Sequence, residues 1–175
     1  MKRVDRAWLK EHNACPDGFK YWCEHCEGQD TDQQLLILVK DHDDWAWWML
    51  TRLLTIEQNR QLAVFAAKEV LPIFEKKFPE DQRPRKAIEA AEKVIGCDIE
   101  ENRAAARDAA WAAGAAARDA DARAAAAWAA AAADWAAAAW AAWAARDAWA
   151  AGTTSAMKMK ILRYGISLLN KGLPR

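Results

Sequence analysis

Four side chains near the start of the chain have the chemistry of metal ligands. His12, Cys15, Cys23 and Cys26 fall in the order H-x2-C-x7-C-x2-C, with His25 inside the second pair. Two intervening residues within each pair suit a knuckle that aims two ligands at one tetrahedral zinc ion, and four nitrogen or sulfur ligands close a structural site. The gap between the pairs is shorter than in the common zinc patterns, and His12 also stands where a first helix would end. Structural zinc and free thiols therefore both stay open, and no other cofactor is expected. Cys97 lies far off in sequence and reads as a thiol at a helix boundary.

A second set of residues has the chemistry of ion pairing or anion binding. Arg83, Arg85 and Glu89 surround the start of an amphipathic segment, with Arg85 and Glu89 four apart on one helical face. Asp44, Arg52, Arg60 and Glu69 lie in or beside apolar helical stretches, and Trp45 follows Asp44 directly. Two roles fit: a buried ion-pair network that fixes helix order, or the lining of a pocket for a small anionic, nucleotide-like ligand. There is no phosphate loop, nucleophile elbow or HExxH, and no Cys/His or Ser/His arrangement suited to nucleophilic catalysis. His42 between Asp41 and Asp43 has the composition of an exposed helix start, which explains it more simply than a general base does. The sequence is read as non-enzymatic.

The elements that must position these residues are helical, and no stretch alternates with period two for long enough to argue for a strand. A short helix is expected from Asp5 to His12, then an irregular Cys-containing stretch to Asp30. Thr31 with Gln34 reads as a capping box that opens a helix through Val39, and Asp41, Asp43 and Asp44 suit the start of the next, which runs through WAWWMLTRLL. Thr55 and Gln58 repeat the box ahead of an amphipathic helix in which Pro72 predicts a kink or early end. Pro84 is placed for the first turn of a helix from Arg85 to Ile95, which Gly96 closes. Asp98 with Glu101 marks an acidic start for the next helix.

Residues 99–151 are almost purely alanine and tryptophan, and alanine's helix propensity makes one very long helix the expectation. At about 100° per residue, Trp111, Trp128, Trp140 and Trp143 join Arg103, Arg107 and Asp147 on one broad face, opposite a face of methyl groups. A rod of about fifty residues is roughly 75 Å long, too long for a compact domain of this size. It must break, for example near Gly114 or Asp121, or project and pair. The Trp stripe packs on other helices of the chain, or it serves as a self-association or partner surface.

The 175 residues carry 25 basic and 25 acidic side chains and a formal net charge of zero, so no global field draws the protein to nucleic acid or an anionic membrane. The charges in the Ala tract leave uncharged runs of only about ten residues, half of what a bilayer span needs. The charged N-terminus lacks a signal-peptide core, and a cytoplasmic protein is expected. From Met157 onward the chain is basic without an acid, as suits the C-terminal part of a helix. The expected architecture is a single all-α domain over 1–175, a multi-helix bundle without sheet: an irregular segment at 1–30, amphipathic helices at 31–97, the long helix at 99–151 and a basic C-terminal helix at 155–171.

Several stretches carry a family resemblance: ACPDGFKYW near Cys15, HDDWAWWMLTRLL from His42, RQLAVFAAKEVLPIFEKKFPEDQRPRKAIEAAEKV from Arg60, the Ala tract, and KILRYGISLL from Lys160. Together they resemble the Ala-rich "putative immunity protein" family of bacteria and their phages, with RPRKAIEAAE the most specific part. The resemblance implies a helical immunity or phage counter-defence factor that neutralises a toxin or defence component by protein–protein contact. It carries no catalytic residues. Cys23, His25 and Cys26 depart from the family's pattern, and tryptophan stands in the Ala tract where tyrosine is common among relatives. A homodimer is the expected assembly, since close-packing Ala faces and excess tryptophan favour self-pairing. A small-anion binder and a zinc-stabilised structural module are the alternatives.

Overall fold

The computed structural model describes residues 3–118 and 155–171. Every regular element among them is an α-helix, in agreement with the periodicity: α1 (Arg6–Glu11), α2 (Pro16–His25), α3 (Thr31–Asp41), α4 (Asp43–Leu53), α5 (Ile56–Lys77), α6 (Arg83–Gly96), α7 (Glu100–Arg118) and α8 (Ser155–Lys171). The chain separates into two compact units, Met1–Leu54 with Leu162–Arg175, and Thr55–Ile161. No described helix is long and apolar enough to cross a membrane.

In the first unit, Asp5 caps α1 by accepting the Trp8 amide at 2.9 Å. The stretch expected to be irregular contains α2. Its cap is Cys15, whose Sγ accepts the Gly18 amide at 3.4 Å, and Pro16 stands in the first turn, where a missing N–H costs nothing. Cysteine lies outside the usual set of capping residues, so the start signal is invisible to a rule built on Ser, Thr, Asp and Asn. Trp22 and Cys26, four apart, turn inward and are buried.

The capping box expected at Thr31 does not form. Asp30 occupies the cap position without a side-chain bond, Thr31 is the first helical residue, and the Gln34 side chain turns into the core. There Gln34 Oε1 accepts from Trp22 Nε1 at 3.1 Å, and Nε2 donates to the carbonyls of Gln29 at 2.8 Å and Val4 at 3.3 Å. A buried amide engaged on both ends cannot also reach back to a helix start.

Helix α3 packs on α4, whose inward residues Ala46, Trp47, Met49, Leu50 and Leu53 are buried. At the other end of the sequence, Asn170 on α8 donates to Asp32 on α3 at 3.0 Å. Gly165 on α8 meets Leu50 so closely that a Cβ would sit 2.5 Å from Leu50 Cδ2 and 3.2 Å from Cδ1. Leu50 is fully buried and has little room to yield. Gly165→Ala should therefore destabilise by about 1–3 kcal/mol through overpacking, although alanine is the better helix former by about 1 kcal/mol. Urea unfolding checks the sign, and a more stable variant would mean that the contact relaxes.

In the second unit the box at Thr55 and Gln58 forms as expected, with the Gln58 amide donating to Thr55 Oγ1 at 3.2 Å and the Thr55 amide to Gln58 Oε1 at 2.9 Å. Helix α5 does not end at Pro72 but runs on to Lys77. Pro72 faces outward beside exposed Ile73, so the Lys68 carbonyl that loses its helical donor lies on the solvent side, while Phe74 beyond it is buried. Helix α6 begins at Arg83, two residues before the expected start, and its buried stripe of Pro84, Ala87, Ile88, Ala91 and Val94 lies at helical spacing. It packs on both α5 and α7.

Helix α7 passes through Gly114 without a break. The continuation of the Ala/Trp tract from residue 119, with Trp128, Trp140, Trp143 and the expected break at Asp121, lies outside the described residues. Helix α8 matches the basic C-terminal helix expected at 155–171.

Candidate functional site

Helix α4 places Trp45, Trp48 and Arg52 at spacings of three and four, and α1 places Trp8 and His12 four apart. The first unit brings these rings together. Trp8 meets Trp48 edge to face with centroids 5.9 Å apart, and His12 stacks on Trp8 at 4.0 Å. The Arg52 guanidinium lies over the Trp48 ring, 4.3 Å from its centroid, with Nη1 donating to the Trp48 carbonyl at 3.1 Å. Burial lowers the pKa of Arg52.

Around the start of α4 a second aromatic group forms. His42 stacks on Trp45 at 3.9 Å, and Tyr21 meets His42 edge to face at 4.4 Å and His25 at 4.3 Å. The Tyr21 hydroxyl donates to Asp41 Oδ2 at 2.8 Å, and that bond holds the phenol above its ordinary pKa. All three histidines of the chain thus lie against aromatic rings. Trp45 and Arg52 are expected from the sequence as binding residues, whereas Trp8, Trp48 and Tyr21 are not. The recurrence of Trp, Trp and Arg along α4 is a signal for Trp48, whereas Trp8 on α1 and Tyr21 on α2 join only through packing.

The four residues read as zinc ligands have separate local roles. His12 closes α1, with Nδ1 2.9 Å from the Trp8 carbonyl oxygen, and Cys15 caps α2. Cys23 is half-buried, and Cys26 is fully buried, where desolvation pushes its thiol up to about 11. Among the described residues no three His, Cys, Asp or Glu side chains gather as metal ligands.

The charged candidates are distributed rather than convergent. Asp44 is exposed at the start of α4. Arg60 pairs with Asp98 at 3.1 Å and Glu57 at 3.6 Å, while Arg83 forks onto Asp81 with bonds of 2.7 and 2.9 Å. Arg85 grips Glu75 of α5 through two bonds of 2.8 Å rather than Glu89, which is exposed on α6. Glu69 accepts from Lys160 at 2.6 Å. Arg60 and Glu75 are fifteen residues apart on α5, roughly 22 Å along the axis, so Arg60 and Arg85 do not line one pocket. Trp111 on α7 is 74% exposed.

Asp98 is the junction of this second unit, since it receives Arg103 Nε at 2.8 Å as well as Arg60. The Arg60 hydrogen bond, with both positive charges, holds its carboxyl below the ordinary range. A depressed carboxylate pKa contributes stability above its unfolded value, near 3.9, and that contribution disappears as pH falls through the folded value. Asp98→Asn should lower the melting temperature at neutral pH by a small amount, as befits an exposed pair. Wild type and variant should converge in strong acid. A gap that widens on acidification would contradict the assignment.

The described structure is thus all-helical, with Arg60, Arg83, Arg85, Arg103 and Arg107 of the second unit in ion pairs and with two clusters of aromatic rings and histidines in the first. The profile of the Imm-5 like putative immunity protein family matches residues 52–148. The chain belongs to that family. The match starts at Arg52 and so leaves most of the aromatic surface on its N-terminal side. Comparison with curated proteins and with solved structures returns no match.

Proposed function

We propose that this protein is a non-enzymatic immunity factor that acts by occupying a protein partner, a toxin or, where the gene is carried by a phage, a host defence component. Family membership over residues 52–148 carries the reading. The side-chain chemistry supports it: Arg60, Arg83, Arg85, Arg103 and Arg107 are spent on carboxylates of the same unit, which builds a scaffold rather than a reaction centre. Tryptophan, tyrosine and arginine, the residues that dominate protein interfaces, supply the surface.

The test is co-expression in bacteria with the toxin encoded beside the gene. Survival of the host together with co-elution of an unmodified complex is the expected result. Protection without complex formation, or with chemical change to the toxin, would overturn binding as the mechanism. Failure to protect against any neighbouring toxin would overturn the immunity role.

A further inference from the structure

The arginine on the aromatic surface differs from those that build the scaffold. Arg6, Arg60, Arg83, Arg85, Arg103 and Arg107 each meet a carboxylate within 3.1 Å. Arg52 has no ion-pair partner among the described residues. Its guanidinium is stacked on Trp48, spends Nη1 on a backbone carbonyl, and keeps its remaining donors for something else. Arg52 is exposed to solvent, yet the part of it covered by the neighbouring rings lowers its pKa, and no anion among the described residues compensates that. A planar fork that is held by an indole and left without a carboxylate is preorganised to receive one, because little side-chain entropy remains to be lost.

We propose that Arg52, backed by Trp48, Trp8 and His12, is the docking point for a carboxylate side chain of a protein partner. The inference rests on the immunity reading for the existence of such a partner, and it adds where the partner is held and by what chemistry. The Trp8 and Trp48 rings supply the apolar flank that an aspartate or glutamate with a hydrophobic neighbour would cover, and Arg52 supplies the charge-assisted bonds. A polyphosphate chain fits less well. Asp43 and Asp44 stand at the start of the same helix, just after Asp41 at the end of α3, with Asp44 about 12 Å from Arg52 along the axis. They would repel a run of negative charge that extends along α4, while leaving room for a single carboxylate.

A displayed library of random peptides, selected on the full chain, tests this without knowledge of the partner. Enriched peptides should share an aspartate or glutamate beside an apolar residue, and their synthetic copies should bind Arg52→Gln about tenfold to a hundredfold more weakly. Arg52→Lys should recover only part of that affinity, since lysine keeps the charge but lacks the fork. Trp8→Ala, checked for fold by circular dichroism, should weaken the same peptides from the other side of the site. A selection that enriches no acidic residue, or peptides that bind Arg52→Gln as well as wild type, would overturn the proposal. So would Arg52-dependent capture of single-stranded oligothymidylate in preference to the peptides. Any of these failures would leave toxin protection untouched, so the site and the immunity reading fall separately.

Discussion

Gln34→Leu is expected to destabilise the first unit by about 3 kcal/mol, since the substitution strands buried polar groups whose loss of a partner costs about 1–3 kcal/mol each. The Gln34 amide is 1% exposed and joins three segments: it accepts from the Trp22 indole on α2 and donates to the carbonyls of Val4 and Gln29. Leucine fills much of the same volume, so the loss is one of hydrogen bonding rather than packing. Val4 and Trp22 are also buried, and water cannot readily replace the missing partners. A second substitution isolates the cause. Trp22→Phe removes the orphaned indole N–H, so in the Gln34→Leu background it should cost about 1 kcal/mol less than in wild type. Urea unfolding of the four proteins gives that coupling directly. Strict additivity would mean that the Trp22–Gln34 bond contributes nothing.

The same glutamine marks where a reading of the sequence succeeds and where it stops. Thr55 with Gln58 and Thr31 with Gln34 are identical in spacing, and local chemistry predicts a capping box for both. Only the first forms, because Gln58 remains at the surface while Gln34 is claimed by Trp22, Val4 and Gln29, partners set by tertiary packing. Helix periodicity and the absence of a strand pattern are local properties, so the all-α fold was legible. Helix α2 was not, since its cap is a cysteine and a glycine follows closely within it.

The site divides along the same line. Arg85 and Glu89 are neighbours on one helix, yet the fork of Arg85 finds a better bidentate partner in Glu75 of the adjacent helix, which no spacing rule reveals. Trp45 and Arg52 were singled out from the sequence, but Trp48 between them was not, although all three recur at helical spacing on α4. That Trp8 and His12 join them depends on where α1 lies against α4, which is a tertiary fact. Zinc spacing at His12 and Cys15 was equally visible, but His12 also closes α1 and Cys15 opens α2, and motif spacing cannot separate the two roles.

Phe74→Ala should cost about 3–5 kcal/mol, the range for truncating a buried phenylalanine. Its effect should concentrate on the end of α5. Phe74 is 1% exposed and lies two residues beyond Pro72, at the point where helix propensity alone would end the helix. Interior proline disfavours a helix by about 3 kcal/mol, so the turns beyond it need tertiary support to persist. Phe74 provides that support through its burial, and the Phe78 ring packs tilted against it with centroids 5.1 Å apart while its amide donates to the Phe74 carbonyl at 2.9 Å. Alanine removes the anchor, and hydrogen exchange should then show amides from Phe74 to Phe78 losing protection beyond the global loss. Pro72→Ala makes the converse case. On the exposed face it restores a donor to the Lys68 carbonyl, and it should stabilise by about 1–2 kcal/mol after allowance for the freer unfolded chain. If the helix end is held by Phe74 against the proline, Pro72→Ala should rescue the terminal amides in the Phe74→Ala background more than it stabilises wild type. Equal gains in both backgrounds would mean that the two residues act independently and that α5 continues past Pro72 for another reason.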